Sequence, residues 1–159
     1  MLRGSRGKHG RNMAGRIVAV GECMVELSPA GADLLRQGFA GDTFNTAWYL
    51  RRKLPEAWQI DYLSAVGQDA ISDQMLGFMQ QAGIGVAHMA RRADATVGMY
   101  LITLEHGERS FTYWRDRSAA RHLADDPAVL AQGLAGAALI VYSGITLAIL
   151  SEDRREQLI

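Results

Sequence analysis

Short apolar runs rich in β-branched residues recur along the chain and predict buried strands. Residues 16–21 (RIVAVG) and 138–143 (ALIVYS) are the clearest, and the second is typical of a central strand in a parallel sheet. Other segments with strand-like composition surround a turn at residues 29–31 or come later in the chain; these are residues 22–27, 33–36 and 60–66.

Between these runs, apolar residues recur at helical spacing. Residues 42–54 predict a helix with Asp42 at its N-cap, and Pro55 ends it. The clearest amphipathic helix covers residues 69–81, with Gly83 as its C-terminal stop; its apolar face consists of Ile71, Met75, Phe78 and Met79. Residues 127–134 predict a further helix, and Ser151 is placed to cap a last one.

A different pattern covers residues 97–115. Two strand-like segments, 97–104 and 109–115, flank a turn at His106–Gly107, which predicts a β-hairpin. Strands alternating with helices indicate an open α/β sheet, and the hairpin is a β appendage on it. The last helix has barely begun at Ile159, so we expect the sheet to require further βα units and the chain to be incomplete.

Composition narrows the class of protein. The chain has 159 residues, of which 48% are hydrophobic and 21% charged, as is ordinary for a globular domain. No apolar run approaches the roughly 20 residues that cross a bilayer, so we expect no membrane association. A single cysteine, Cys23, excludes an internal disulfide and favours a reducing compartment, so we expect a cytoplasmic protein.

The first fifteen residues form a glycine-containing leader with basic residues only, namely Arg3, Arg6, Lys8 and Arg11. Such an arm can bind nucleic acid, or it can precede a natural start at Met13. We favour the second interpretation and predict that residues 1–15 are disordered. The remainder is slightly acidic, so we expect no nucleic-acid partner.

The first candidate site is residues 38–45 (GFAGDTFN), where glycines precede a helix. Glycine lets a ligand approach the backbone, and a helix N-terminus offers free N–H groups to oxygens. Asn45 in the first turn can donate to and accept from a hydroxyl. The competing interpretation is a simple chain reversal, and the segment matches neither the P-loop nor the dinucleotide fingerprint.

The second candidate site is the hairpin, with Tyr100 on one strand and Tyr113 and Arg115 on the other. Residues two apart on a strand share a face, so Tyr113 and Arg115 project together. The guanidinium suits a carboxylate, and the tyrosines add hydroxyl donors. The alternative is an exposed hairpin with an aromatic cross-strand pair and a solvated arginine.

Other polar residues predict structure rather than chemistry. The histidines form no metal-ligand spacing with Cys23, so we predict no metal site. Asp69 and the pair at residues 125–126 are placed to cap helices. Cys23 has no basic neighbour in sequence and is predicted to be a packed thiol rather than a nucleophile.

Taken together, three segments carry a resemblance to a known family: residues 18–22 (VAVGE), 41–47 (GDTFNTA) and 64–69 (SAVGQD). In this order they resemble the opening pattern of the ribokinase-like (PfkB) carbohydrate kinases. Within that family, the 2-keto-3-deoxygluconate kinases are similar in three further segments, residues 21–27 (GECMVEL), 107–115 (GERSFTYWR) and 143–150 (SGITLAIL). The resemblance extends from about residue 16 to the end of the chain.

The resemblance implies a fold and a set of binding residues. The fold would be a ribokinase-like open, mostly parallel sheet flanked by helices, with a small β lid around residues 22–37 and 97–115. Residues 16–159 would be its N-terminal half. In similar kinases the glycine turn and the lid contact the sugar, and the matching positions here are Gly41, Asp42, Asn45, Tyr100, Tyr113 and Arg115. Arg115 would bind the acid end of the substrate, and Ala40 departs from the family by replacing a second glycine.

The family's catalytic aspartate lies in a Gly-Ala-Gly-Asp motif that this sequence lacks; residues 40–42 (AGD) imitate it only superficially. We therefore predict no catalytic residue in this chain, and no residues that bind the ATP and Mg²⁺ expected for the full-length enzyme. The implied function is the N-terminal portion of an ATP-dependent kinase that converts 2-keto-3-deoxygluconate to its 6-phosphate, inactive alone. The alternatives are a fructokinase or ribokinase, or a non-catalytic module that binds a sugar acid. Pairing of two copies through the lid is also implied.

Overall fold

The computed structural model describes residues 14–159. The predicted disordered leader therefore lies outside the described residues, except for its last two positions. The first strand begins at Gly15, one residue inside that predicted leader.

Within the described part, the chain forms nine strands, five α-helices and a short 3-10 helix at Ala119–His122. The strands are β1 (Gly15–Val20), β2 (Met24–Pro29), β3 (Leu35–Ala40), β4 (Trp58–Leu63), β5 (Ala65–Gly67), β6 (Ala90–Arg92), β7 (Met99–Glu105), β8 (Glu108–Trp114) and β9 (Leu139–Val141). The helices are α1 (Asp42–Lys53), α2 (Ala70–Gln81), α3 (Pro127–Leu134), α4 (Gly144–Ile149) and α5 (Glu152–Leu158).

The main sheet has the order β4-β1-β9, and both pairings are parallel, as predicted. Ile17 of β1 lies between Ile60 of β4 and Leu139 of β9. The prediction that β9 is a central strand is wrong for the described residues. It lies at the edge of the sheet, and Leu139 is 50% exposed because nothing in residues 14–159 covers it.

The alternation of side chains along β1 divides the core into two layers. Ile17 and Ala19 pack in one cluster with residues of α1 and α2, including Phe44. Val18 and Val20 point to the opposite face and pack with α3 and the 3-10 helix. Since both faces of the sheet are covered, β1 is buried almost completely, which explains why its sequence is continuously apolar.

A second sheet of four strands, order β3-β2-β7-β8, forms the predicted β lid. Strands β7 and β8 are antiparallel, and both turn residues, His106 and Gly107, have positive φ (53° and 87°). Two residues in this conformation match the twist of a tight hairpin, and the predicted hairpin is confirmed. Strand β2 connects the two halves of the lid because it pairs antiparallel with β3 and parallel with β7.

Three sequence predictions, for β3, for the turn before it and for the strand at residues 60–66, were wrong. Strand β3 covers Leu35–Ala40 rather than residues 33–36, so the segment expected to be a glycine-rich turn ends a strand. The turn before β3 is longer than predicted, since Gly31 and Asp33 both have positive φ and Ala30 N–H donates to Leu34 O at 2.9 Å. The predicted strand at residues 60–66 is divided into β4 and β5, because β5 leaves the main sheet to pair with β6.

Predicted capping residues cap α2 and α3 but not α1 or α5; Ser151 is at the N-cap position of α5, but its side chain makes no capping hydrogen bond. Asp69 caps α2 by accepting from Ser72 N–H at 2.9 Å, and Asp126 caps α3, both as predicted. At α1 the N-cap is Gly41, and the predicted cap, Asp42, is the first helical residue. Helix α4 was not predicted; its Ser143 and Thr146 form a reciprocal capping box.

Among residues 14–159, no helix combines the length and apolar character needed to span a bilayer.

Thr146 is a buried anchor whose loss we expect to destabilise the fold. Its Oγ1 donates to Val20 O at 3.0 Å and accepts from Ser143 N–H at 3.2 Å, tying α4 to the end of β1. Thr146→Val leaves both backbone groups unsatisfied and should lower the free energy of unfolding by roughly 1–3 kcal/mol in urea titrations. Thr112→Val, on the exposed face of β8, is the control and should change stability little. Equal effects of the two substitutions would contradict this role.

Candidate functional site

A cavity of about 260 Å³ lies between the lid strands and the N-terminus of α1. It is lined by all six residues predicted from the sequence, namely Gly41, Asp42, Asn45, Tyr100, Tyr113 and Arg115. These residues come from segments about sixty positions apart in the chain. The fold therefore brings the two candidate sites together into one cavity.

The α1 side of the cavity is held by buried hydrogen bonds. Thr43, directly after Asp42, is 2% exposed, and its Oγ1 lies 2.8 Å from the Tyr62 hydroxyl of β4. The Asp42 carboxylate accepts from Thr43 N–H at 2.7 Å, and Asn45 N–H donates to Gly41 O at 2.7 Å. The first turn of α1 is therefore anchored to the main sheet, and it presents Asp42 and Asn45 at the cavity.

Glycine is required at Gly41 because the backbone of the loop between β1 and β2 passes directly beside it. A Cβ at Gly41 would lie 2.2 Å from Glu22 O. Gly21 in the same loop is equally crowded, since a Cβ there would lie 2.3 Å from Thr43 Oγ1. Ala40, the departure from the family pattern, lines a neighbouring cavity instead, so its methyl group does not fill this one.

The lid side of the cavity is an aromatic pair. Tyr100 and Tyr113 lie directly opposite each other on β7 and β8, with ring centroids 5.7 Å apart. Tyr100 is buried, and its hydroxyl donates to the Glu26 carboxylate of β2. Burial and this neighbouring acid raise the pKa of Tyr100, so its hydroxyl stays protonated. Arg115 lies on the same side as Tyr113, with its Cζ 5.8 Å from the ring centroid, as predicted.

Arg115 forms an ion pair with Glu22 through its Nη2. The Glu22 side chain is 2% exposed and that of Arg115 is 20% exposed. Of the alternative interpretation of the hairpin, the exposed strand and the aromatic cross-strand pair are present, but the solvated arginine is wrong. The guanidinium lies on the cavity wall and retains N–H groups beyond those of Nη2, which gives the cavity a cation able to bind a carboxylate.

Burial raises the pKa of Glu22, while the neighbouring Ser118 hydroxyl and the charges of Arg115 and Arg121 oppose that rise only in part. Two buried titratable groups, the Cys23 thiol and the Tyr62 hydroxyl, lie close enough to Glu22 to be affected by its charge. Burial raises the pKa of both groups well above their ordinary values, so both stay neutral at physiological pH. Cys23 is thus a packed thiol, as predicted.

Sequence reasoning missed Glu22 as a site residue. It lies two residues after the end of β1, and ligands in open α/β sheets bind beyond the carboxyl ends of the strands, so its position was the available signal. Met24, Phe111 and Ile145 also line the cavity and were missed, because isolated apolar residues carry no local signal.

No three His, Cys, Asp or Glu side chains converge to hold a metal ion in the part of the chain described, residues 14–159.

Comparison with known proteins assigns the family. The family model described as pfkB family carbohydrate kinase matches residues 14–159. The chain belongs to this family. The cavity of this pfkB family chain lies where the parallel α/β sheet meets the β lid.

Two curated relatives match almost the whole of this chain. The 2-dehydro-3-deoxygluconokinase of Dickeya dadantii is 42% identical over 147 residues, which are 90% of this pfkB chain and 47% of the relative. The protein of the same name from Escherichia coli K12 is 39% identical over 151 residues, or 92% of this chain and 48% of the relative. The chain spans about half the length of these relatives.

Solved structures confirm the ribokinase-like fold. A 2-dehydro-3-deoxygluconokinase from Thermotoga maritima has a TM-score of 0.74 at 22% identity, covering 87% of this chain and 44% of that one. A PfkB protein from Polaromonas has a TM-score of 0.69 at 21% identity, covering 91% and 49%. A Xylella fastidiosa fructokinase with bound ATP has a TM-score of 0.59 at 23% identity, covering 69% and 36%.

The crowding at Gly41 predicts a strong effect of one methyl group. Gly41→Ala should lower the free energy of unfolding by about 3 kcal/mol or more, because the new Cβ has only backbone to displace. Gly77→Ala is the control, since Gly77 lies in α2 with no atom within 4 Å of a Cβ, and should gain about 0.5–1 kcal/mol. Urea unfolding measures both, and a neutral Gly41→Ala would refute the close approach.

The raised pKa of Glu22 predicts a pH dependence of stability. The folded state binds the Glu22 proton more tightly than the unfolded state, so this residue's contribution is fully present below its ordinary pKa of 4.5. It is lost as the pH rises through the higher folded pKa. The free energy of unfolding of the native chain, minus that of Glu22→Gln, should therefore fall across this interval. Glu105→Gln, which removes one carboxylate from an exposed lid position, is the control for the change in net charge.

Proposed function

We propose that this chain forms the sugar-acid-binding part of a kinase that phosphorylates 2-keto-3-deoxygluconate to 2-keto-3-deoxy-6-phosphogluconate. The observation that carries the proposal is the convergence of Arg115, two tyrosines and the N-terminus of α1 on a single cavity. An enzyme for a neutral sugar has no use for a cation there. A sugar acid needs one, because its carboxylate must exchange water for a charged donor.

Each wall of the cavity has a distinct task in this proposal. Arg115 binds the carboxylate, and its N–H groups match the two acceptor oxygens. Asp42 and Asn45 bind hydroxyl groups at the other end, where the amide of Asn45 can both donate and accept. Tyr100 and Tyr113 cover the ligand from the lid. The two ends of the cavity thus discriminate the two ends of the substrate.

The two curated relatives named 2-dehydro-3-deoxygluconokinase support this choice of substrate. 2-Dehydro-3-deoxygluconate and 2-keto-3-deoxygluconate are two names for the same compound. ATP as phosphoryl donor and Mg²⁺ as its metal are part of the proposal for the longer protein. Bound Mg²⁺ would neutralise charge on the transferring phosphoryl group. We assign neither group to residues of this chain.

We expect no phosphoryl transfer by the 159-residue chain alone. Transfer requires a base for the attacking hydroxyl, and the sequence lacks the Gly-Ala-Gly-Asp motif that supplies it in the family the chain resembles. We also propose a cytoplasmic location. Pairing through the lid is proposed because Phe111 and Trp114 of β8 are about half exposed.

Calorimetry of the chain tests the substrate assignment with two ligands that differ at one group. 3-Deoxyfructose is 2-keto-3-deoxygluconate with a CH₂OH in place of the carboxylate. Arg115→Ala should weaken binding of the keto acid roughly 10- to 100-fold, the equivalent of a lost charge-assisted hydrogen bond, and leave 3-deoxyfructose almost unaffected. The control Arg109→Ala removes an exposed arginine from the same lid strand and should change neither affinity.

Three outcomes would direct the assignment elsewhere. Equal affinity of the native chain for the two ligands would favour a fructokinase or ribokinase. Keto-acid binding without any activity in the longer protein would favour a non-catalytic binding module. Unchanged keto-acid affinity in Arg115→Ala would refute the role of the guanidinium. Arg115→Lys, which keeps the charge near buried Glu22, separates lost recognition from lost folding.

A further inference from the structure

Glu22 is the most deeply buried charged side chain among the residues that line the cavity. Its carboxylate is 2% exposed, lines the cavity and pairs with Arg115. Burying a carboxylate is costly unless a cation and hydrogen bonds compensate for the lost water. The question is whether this pair stabilises the fold or serves the ligand.

A second buried pair in the same chain shows what a structural ion pair looks like here. Arg16 donates from Nε to Asp61 at 2.6 Å and from its other nitrogens to the carbonyls of Gly133 and Ala135 at 2.8 Å. Asp61 also accepts from Gln59 Nε2 at 2.9 Å. Every part of that pair is engaged in a well-aligned hydrogen bond.

The Glu22 pair is different. Within the described residues, both Glu22 carboxylate oxygens, Arg115 Nη2 and Ser118 Oγ are buried without a well-aligned hydrogen bond, although they lie together. Proximity and charge hold the guanidinium, and hydrogen-bond geometry does not. Buried polar groups in this condition are uncommon in folded proteins and cluster at functional sites. The contrast with Arg16 indicates that stability alone does not account for the Glu22 pair.

The loop that carries Glu22 is placed by close backbone packing. Gly41 contacts the Glu22 carbonyl, and a Cβ at Gly98 would lie 2.6 Å from Glu22 Oε1 and 3.1 Å from Arg115 Cβ. Val25 N–H donates to Gly98 O at 2.9 Å, which joins this loop to the start of β7. The carboxylate therefore has a determined position, whereas Arg115 lies beyond the last residue of β8, whose side chains are exposed.

We propose that Glu22 is the positioning residue of the cavity: its carboxylate holds the Arg115 guanidinium on the cavity wall, where it can bind the carboxylate of a ligand. This inference rests on the proposed function, since it takes the ligand to be a sugar acid. Without Glu22, the long arginine side chain has rotamers that extend into solvent, and fixing it would cost conformational entropy on binding. Glu22 thereby determines the preference for an acid over a neutral sugar.

Calorimetry with 2-keto-3-deoxygluconate and 3-deoxyfructose tests the proposal on the full chain. Glu22→Ala should weaken binding of the keto acid roughly tenfold or more and 3-deoxyfructose less than about threefold. Glu22→Gln keeps the size of the side chain but removes the charge that holds Arg115, so it should weaken keto-acid binding in the same direction as Glu22→Ala. Glu105→Gln controls for the change in net charge. Unchanged keto-acid affinity in Glu22→Ala, or equal loss of both ligands, would overturn the proposal.

A double-mutant cycle keeps the test decisive if Glu22→Ala does not fold. Glu22→Gln should change keto-acid affinity in the native background and have no effect in the Arg115→Ala background, because a positioning residue acts only through its partner. The same effect in both backgrounds would show that Glu22 acts independently of Arg115. If the native chain fails to distinguish the two ligands, the proposed function fails. If it distinguishes them and the cycle is additive, this inference alone fails.

Discussion

The buried ion pair between Glu22 and Arg115 is the constraint on which the site depends. One partner follows the main-sheet strand β1 and the other follows the lid strand β8, so the pair connects the two sheets across the cavity. Burying either charge without the other is energetically unfavourable. Any displacement of the lid that separates them leaves a carboxylate in a low-dielectric environment. The relative position of lid and sheet is therefore set by electrostatics as much as by packing.

Around that pair, the two sides of the cavity differ in how deeply their residues are buried. The α1 side is anchored by the buried contact between Thr43 and Tyr62, and it presents Asp42 and Asn45 from the first turn of a helix. On the lid side, Tyr113 is half exposed on a strand with solvent along its length. The buried floor and the exposed lid strand leave the cavity accessible to a small polar ligand from the lid side. The difference arises because α1 packs against the core of the main sheet, whereas the side chains of β8 are exposed.

The sequence predicted the parallel sheet and the lid hairpin correctly, because period-two alternation, apolar runs and the His106–Gly107 turn are local signals. It also selected residues that converge on one cavity, although only the resemblance to a family joined the two segments. The predicted start of β3 and the predicted central position of β9 were wrong for residues 14–159, since both depend on which strand pairs with which. Glu22 was missed for a related reason: its partner lies 93 positions away, and charge pairing over such distances leaves no local pattern.

Three glycines surround the Glu22 loop, and each lies where a methyl group would collide with the chain: Gly21 against Thr43, Gly41 against the Glu22 backbone, and Gly98 against the Glu22 carboxylate. A larger residue at Gly41 would have to move the backbone, and one at Gly21 or Gly98 would have to move packed side chains. The floor of the cavity is consequently closed to gradual evolutionary change. New ligand preferences in proteins with this architecture would arise through the exposed lid strands, where side chains can vary while the buried charge stays in place.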